Sequence, residues 1–189
     1  MGVRYRTVLL RAAIAFLAVL AAADASAGGT GATALSPVPS EHASPPTLVL
    51  NSLNGDQYTL ADFAGKVLLV NFWATWCAPC IKELPSMQAA RSRLAGEPFE
   101  VIAVNVGEDP AEVKNFLDRL DTALDYLILL DENMVTTKKW KVRVLPTTYI
   151  VDAQGQARYV AMGERDFGAA EIVSMIRALA QTQASASDG

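Results

Sequence analysis

Val67-Leu68-Leu69-Val70-Asn71-Phe72-Trp73-Ala74-Thr75-Trp76-Cys77-Ala78-Pro79-Cys80 is the stretch whose reading decides the fold. Val67 to Phe72 is a nearly continuous apolar run, the pattern of a strand buried on both faces. A helix is expected to follow over 78–94, since Pro79 suits a first turn, where its missing N–H would have no intrahelical partner. The chain's only two cysteines therefore sit where a buried strand meets a helix start.

That placement points to chemistry. A bridge between residues three apart closes a tiny loop and removes little unfolded-state entropy, so it staples almost nothing. Structural zinc needs four ligands, and the expected folded domain holds no other Cys and no His. Haem attachment needs His directly after the second Cys, and residue 81 is Ile. At a helix start, unpaired backbone N–H groups and the positive dipole end stabilise a thiolate, so Cys77 is the expected nucleophile toward a disulfide. Cys80, one turn further in, is expected to be more buried and to resolve the product. The residues imply no metal and no cofactor.

Outward from this junction, Thr47–Asn51 and Gln57–Leu60 flank Asn54-Gly55-Asp56 and read as a hairpin. Phe99–Val106 reads as a second buried strand. Asp109, with Pro110 behind it, caps a helix. A short strand over 126–130 and a short helix over 134–140 follow. Thr147–Val151 and Gln156–Met162 form a second hairpin, and a last helix over 167–180 carries Ile172, Met175, Ile176 and Leu179 on one stripe. Strands alternating with helices predict an α/β fold, a mixed central sheet covered on both faces.

The flanks read differently. Arg4, Arg6 and Arg11 precede an apolar run from Ala12 to Ala23, and Ala25-Ser26-Ala27 offers small residues for cleavage, so 1–27 is expected to be a secretory signal. The alternative is an uncleaved anchor, for which twelve apolar residues fall short of a membrane span unless the run recruits the stretch before Arg11. Residues 28–46, rich in Gly, Ala, Ser, Thr and Pro, read as a flexible linker. His42, the chain's only histidine, lies there and is expected to be exposed and incidental. The folded domain is expected over 47–182 and a disordered tail over 183–189. Formal net charge is −4, or −6 without residues 1–27, which argues against nucleic acid or an anionic membrane surface as partner.

The stretch Phe72 to Cys80 resembles the active-site junction of thioredoxins, most closely the exported TlpA/ResA-type branch. The resemblance covers Pro46 to Ala180. Asn54-Gly55, Leu60 and Gly65-Lys66 are similar to that branch's N-terminal hairpin. Pro85 matches the proline inside the thioredoxin active-site helix, and Leu145-Pro146-Thr147-Thr148 matches the loop carrying a cis-proline. The resemblance implies a thioredoxin-like fold and a thiol–disulfide oxidoreductase. It also implies that Leu145 and Pro146 offer backbone groups to an extended substrate. Trp76, Ala78 and Pro79 would form the rim, with Trp73 in the core.

Two departures matter. Thioredoxins carry a buried Asp where this chain has Asn71, and the accompanying lysine aligns near Ala103. Proton handling must therefore come from elsewhere, and Glu83, three residues after Cys80, is the candidate, with an exposed surface carboxylate as the alternative. Lys82 beside it reads as plain surface.

Ala78-Pro79 between the cysteines, in place of the His of DsbA-like oxidants, favours a reductant. The resemblance further implies a periplasmic location and electrons from a membrane thiol transporter of the DsbD or CcdA kind. The clients would be apocytochrome c or copper-delivery and cytochrome oxidase assembly proteins. A peroxidase would place Thr three residues before its reactive Cys, whereas Thr75 is two before Cys77. A Cu(I)-binding module and a client-holding chaperone without redox turnover are the remaining rivals.

Overall fold

The computed structural model describes residues 34–184. The expected signal over 1–27 and the last tail residues, 185–189, lie outside the described residues. The strands are β1 (Ser36–Pro37), β2 (Val49–Ser52), β3 (Gln57–Thr59), β4 (Val67–Trp73), β5 (Phe99–Val106), β6 (Leu127–Asp131), β7 (Thr147–Val151) and β8 (Ala157–Met162). The helices are α1 (Ala78–Arg93), α2 (Pro110–Leu117), α3 (Val135–Lys139) and α4 (Ala170–Ala184).

All eight described strands form one sheet in the order β1-β8-β7-β4-β5-β6-β2-β3. The β4–β5 and β5–β6 pairs are parallel and the others antiparallel, so the expected mixed sheet is what forms. β4 lies at its centre, with every residue buried. Its alternation separates two core layers. Val67, Leu69 and Trp73 pack with Leu84, Met87, Val113 and Ile176 from α1, α2 and α4. Leu68, Val70 and Phe72 pack on the other face with Phe63, Ile102, Val104 and Trp140. The period of two also sends Asn71 toward the α1 side, where it faces Ala103 on β5 and Thr148 on β7.

Local signals explain most boundaries. Gly55 turns the first hairpin with φ of +88°, a region that only glycine enters freely. Asp109 accepts hydrogen bonds from Ala111 N and Glu112 N at 2.8 and 2.9 Å, and Glu112 completes a capping box. The helix expected from Phe167 begins only at Ala170 and runs on to Ala184. Phe167 is instead buried ahead of it, its N–H donating to Ser86 Oγ at 3.1 Å.

The linker expectation is corrected for residues 34–46. Ser36 and Pro37 pair with Val160 and Tyr159 of β8, Val38 N donates to Arg158 O at 2.9 Å, and Ala157 N donates to Ala43 O at 2.6 Å. Composition hid this strand because an edge strand tolerates proline and needs no apolar alternation. The strap covers a β8 edge that would otherwise present unpaired backbone groups. His42 ends a short 3₁₀ turn and is exposed.

Ile102 lies in the layer away from α1 and is fully buried. Ile102→Val is expected to cost about 1 kcal/mol of stability, read as a lower urea midpoint at unchanged m-value, with the thiol exchange rate unaltered.

Candidate active site

β4 ends at Trp73, and the chain turns through Ala74, Thr75 and Trp76, with Cys77 N donating to Ala74 O at 3.2 Å. Cys77 is the N-cap of α1, and Ala78 and Pro79 occupy its exposed first turn. Cys77 and Cys80 are joined by a disulfide. Cys77 is 6% exposed and Cys80 0%, so an incoming thiol or disulfide reaches Cys77 first. The free N–H groups and positive dipole end of α1 favour a thiolate on Cys77 once the bond is reduced.

A groove of about 390 Å³ opens beside Cys77, lined by Trp76, Met134, Arg143, Val144 and Leu145 among others. Trp76 is 71% exposed at its rim, while Trp73 is buried in the core. Met134 and Val144 are also exposed. The Leu145–Pro146 peptide bond is cis. Pro146 is buried, and its carbonyl accepts from Gly163 N at 2.8 Å. Trp76, Cys77 and Leu145 thus meet in one groove. Ala78 and Pro79 stand on the exposed helix start beside it, and Cys80 and Glu83 lie behind it.

Glu83 is on the inner face of α1 with Cys80, Leu84 and Met87, and is only 1% exposed. Asn71 Nδ2 donates to Glu83 Oε1 at 2.7 Å and to Thr148 Oγ1 at 2.8 Å. Arg165 N donates to Glu83 Oε2 at 3.0 Å. Burial pushes the Glu83 carboxyl up from 4.5 to about 7, against the lowering by those hydrogen bonds, while the charge of Glu164 raises it and that of Arg165 lowers it. The structure therefore decides against an exposed Glu83. Lys82 is exposed and pairs with Glu164 at 2.9 Å.

Pro85 lies inside α1 and has no N–H for the Ile81 carbonyl. Asn71 holds the place of a titratable partner but works as a donor, anchoring Glu83 between β4 and β7. Thr148, Arg165 and Glu108 escaped the sequence reading as site residues. Only Glu108 carried a signal, its position just past the C-terminal end of a parallel strand, where sites in such sheets gather.

Among the described residues no group of three or more His, Cys, Asp and Glu could hold a metal ion. No described helix is long and apolar enough to cross a membrane. The arrangement is suited to disulfide exchange: an accessible sulfur at a helix start, a shielded second sulfur, and a buried carboxyl that titrates near neutrality.

Comparison with known proteins agrees. The redoxin family model matches residues 37–175. The chain is 35% identical over 118 residues to the thiol-disulfide oxidoreductase ResA of Geobacillus kaustophilus (strain HTA426), covering 62% of this chain and 67% of that protein. It is 35% identical over 124 residues to ResA of Bacillus subtilis (strain 168), covering 66% and 68%. A thiol:disulfide interchange protein of the thioredoxin family from Chlorobium tepidum TLS superposes with a TM-score of 0.61 at 26% identity, over 74% of this chain and 99% of that one. StoA from Bacillus subtilis shares the fold, with a TM-score of 0.56 at 20% identity over 72% and 98%. The chain belongs to the redoxin family, as a thioredoxin-fold thiol–disulfide oxidoreductase of the ResA-like kind.

Proposed function

We propose that this oxidoreductase is exported to the periplasm, and that it reduces disulfides in client proteins of cytochrome c or copper and cytochrome oxidase maturation. The observation that carries the reading is the pairing of an accessible Cys77 in an apolar groove with a fully buried Cys80. The basic, apolar and small-residue pattern of 1–27 supports export, with the segment either cleaved or retained as an anchor.

In the forward reaction the Cys77 thiolate attacks one client sulfur. The client disulfide breaks, and its other sulfur leaves as a thiolate that takes up a proton. Cys80 then loses its proton, for which Glu83 is the nearby acceptor, and attacks Cys77. The mixed disulfide breaks and the second client thiol is released. Two electrons have moved to the client, and the chain is left with the Cys77–Cys80 disulfide. Trp76, Ala78 and Pro79 frame the approach, and Leu145 and Pro146 supply backbone to an extended client segment. A membrane thiol transporter of the DsbD or CcdA kind would return the chain to its dithiol form.

The test is a trap. Cys80→Ser in the full chain, expressed in its native cell, is expected to hold a client on Cys77 as a mixed disulfide, and mass spectrometry names it. A cytochrome c or a copper or oxidase assembly protein supports the reading, and the absence of any trapped protein overturns it. The direction of electron flow rests on the potential: a value near the −120 mV of DsbA would make the chain an oxidant.

A further inference from the structure

Glu108 follows β5 and the left-handed Gly107, and it is only 7% exposed. Its carboxylate accepts from Thr75 N at 2.8 Å, from Asn105 Nδ2 at 2.7 Å, and from Thr75 Oγ1 in a short third bond. Asn105 is itself fully buried and stands opposite Trp73 in the β4–β5 register. None of these bonds serves α2, whose N-terminus is capped by Asp109 and Glu112. Two of the three bonds go to a turn at the end of a different strand, 33 residues away.

That turn is the one that presents the nucleophile. Thr75 sits inside the Ala74–Cys77 turn, between the buried end of β4 and the exposed Trp76. Without an acceptor for its N–H and hydroxyl, Thr75 would be a half-buried residue with polar groups competing for water, and the turn would lose its fixed point. We propose that Glu108 is a positioning residue for thiol–disulfide exchange. By clamping Thr75 it fixes the Trp76 wall of the groove and the line along which the Cys77 sulfur meets a client disulfide. The proposal rests on Cys77 being the attacking thiol.

The geometry also predicts which substitution restores the clamp. Thr75 N and Asn105 Nδ2 both donate to Oε2, while Oε1 faces the Thr75 hydroxyl. A glutamine at 108 can accept both N–H groups with its amide oxygen and donate its N–H to Thr75 Oγ1, whereas an alanine can do neither.

The test uses the full chain in its reduced form, with insulin as the disulfide probe and single-turnover rates as the readout. Glu108→Ala is expected to slow reduction about tenfold or more, the size of effect that small misplacements of a nucleophile produce. Glu108→Gln is expected to recover the rate to within about threefold. The acrylamide-quenchable fluorescence belongs to Trp76, because Trp73 and Trp140 are buried. Its anisotropy should decay faster in Glu108→Ala and return in Glu108→Gln.

A folded Glu108→Ala chain that reduces insulin at the original rate overturns the proposal. So does an equal loss in both variants, which would mark a charge effect. If Glu108→Ala fails to fold, Thr75→Val decides, since it removes only the hydroxyl leg of the clamp: a slower rate supports the proposal and an unchanged rate overturns it. Iodoacetamide labelling of the reduced chain is run alongside. Modification at Cys80 ahead of Cys77 would show that the assignment of the attacking thiol has failed, and the clamp with it.

Discussion

Cys77→Ser is expected to lower disulfide reduction by at least about 10³-fold, because a serine hydroxyl near neutral pH presents almost no alkoxide, whereas a helix-start thiol presents a substantial thiolate fraction. The loss should appear at every substrate concentration, since the substitution removes bond making and leaves the groove in place. Cys80→Ser should behave differently. Cys77 remains in position and can attack once, so a single-turnover burst of mixed disulfide is expected, followed by arrest. Stopped-flow measurement of the burst separates the two steps. A Cys77→Ser chain that still turned over would reject the division of labour that the 6% and 0% exposures support.

The second large effect concerns Glu83, whose carboxyl burial raises from 4.5 to about 7. Between those values the folded chain keeps a proton that the unfolded chain has released, so the folded state binds more protons. Stability therefore falls as pH rises across this window. The contribution is fully present below about pH 4.5 and lost as pH passes 7, a swing of about 3 kcal/mol at most. Urea unfolding at pH 5 and pH 8 should show this difference, and Glu83→Gln should abolish most of it. Asn71 Oδ1 finds no hydrogen-bond partner among the described residues. A flipped Asn71 amide can therefore accept from the new glutamine, which lets the variant fold.

Activity should run the other way. Ionised Glu83 is the form that can take the Cys80 proton, so release of client from the mixed disulfide should accelerate as pH rises through about 7. Glu83→Gln should slow that step by about 10²-fold, within the range of general-base effects, and leave the first attack by Cys77 nearly unchanged. The deprotonation that activates the second cysteine is thus the one that costs the fold stability. A release step whose pH profile is the same in Glu83→Gln would remove Glu83 from the mechanism.

Much of the site was legible because its signals are local. The Cys77–Cys80 spacing, the apolar run ahead of it and the proline in the first turn are relations between residues one to four apart. Such relations alone determine that a buried strand hands the chain to a helix at a nucleophile. Resemblance supplied Leu145 and Pro146, and the structure brings Leu145 into the same groove as Cys77. The position of Glu108 past the end of a parallel strand hinted at the site, but its bond to Thr75 left no trace in periodicity, because the two residues lie 33 apart.

By itself the sequence determined the element order from β2 onward, the two-sided burial of β4, the caps at Cys77 and Asp109, and the redox identity of the cysteine pair. Each depends on backbone periodicity, capping or the chemistry of adjacent side chains. Tertiary structure decided the rest. Glu83 could have faced solvent until the sheet placed Asn71 beneath it and Arg165, 82 residues on, supplied a backbone N–H. Ser36–Pro37 could have been linker until β8 offered an open edge. In both cases the outcome turns on desolvation and on unpaired backbone groups brought together from distant parts of the chain, and those energies exist only once the sheet has assembled.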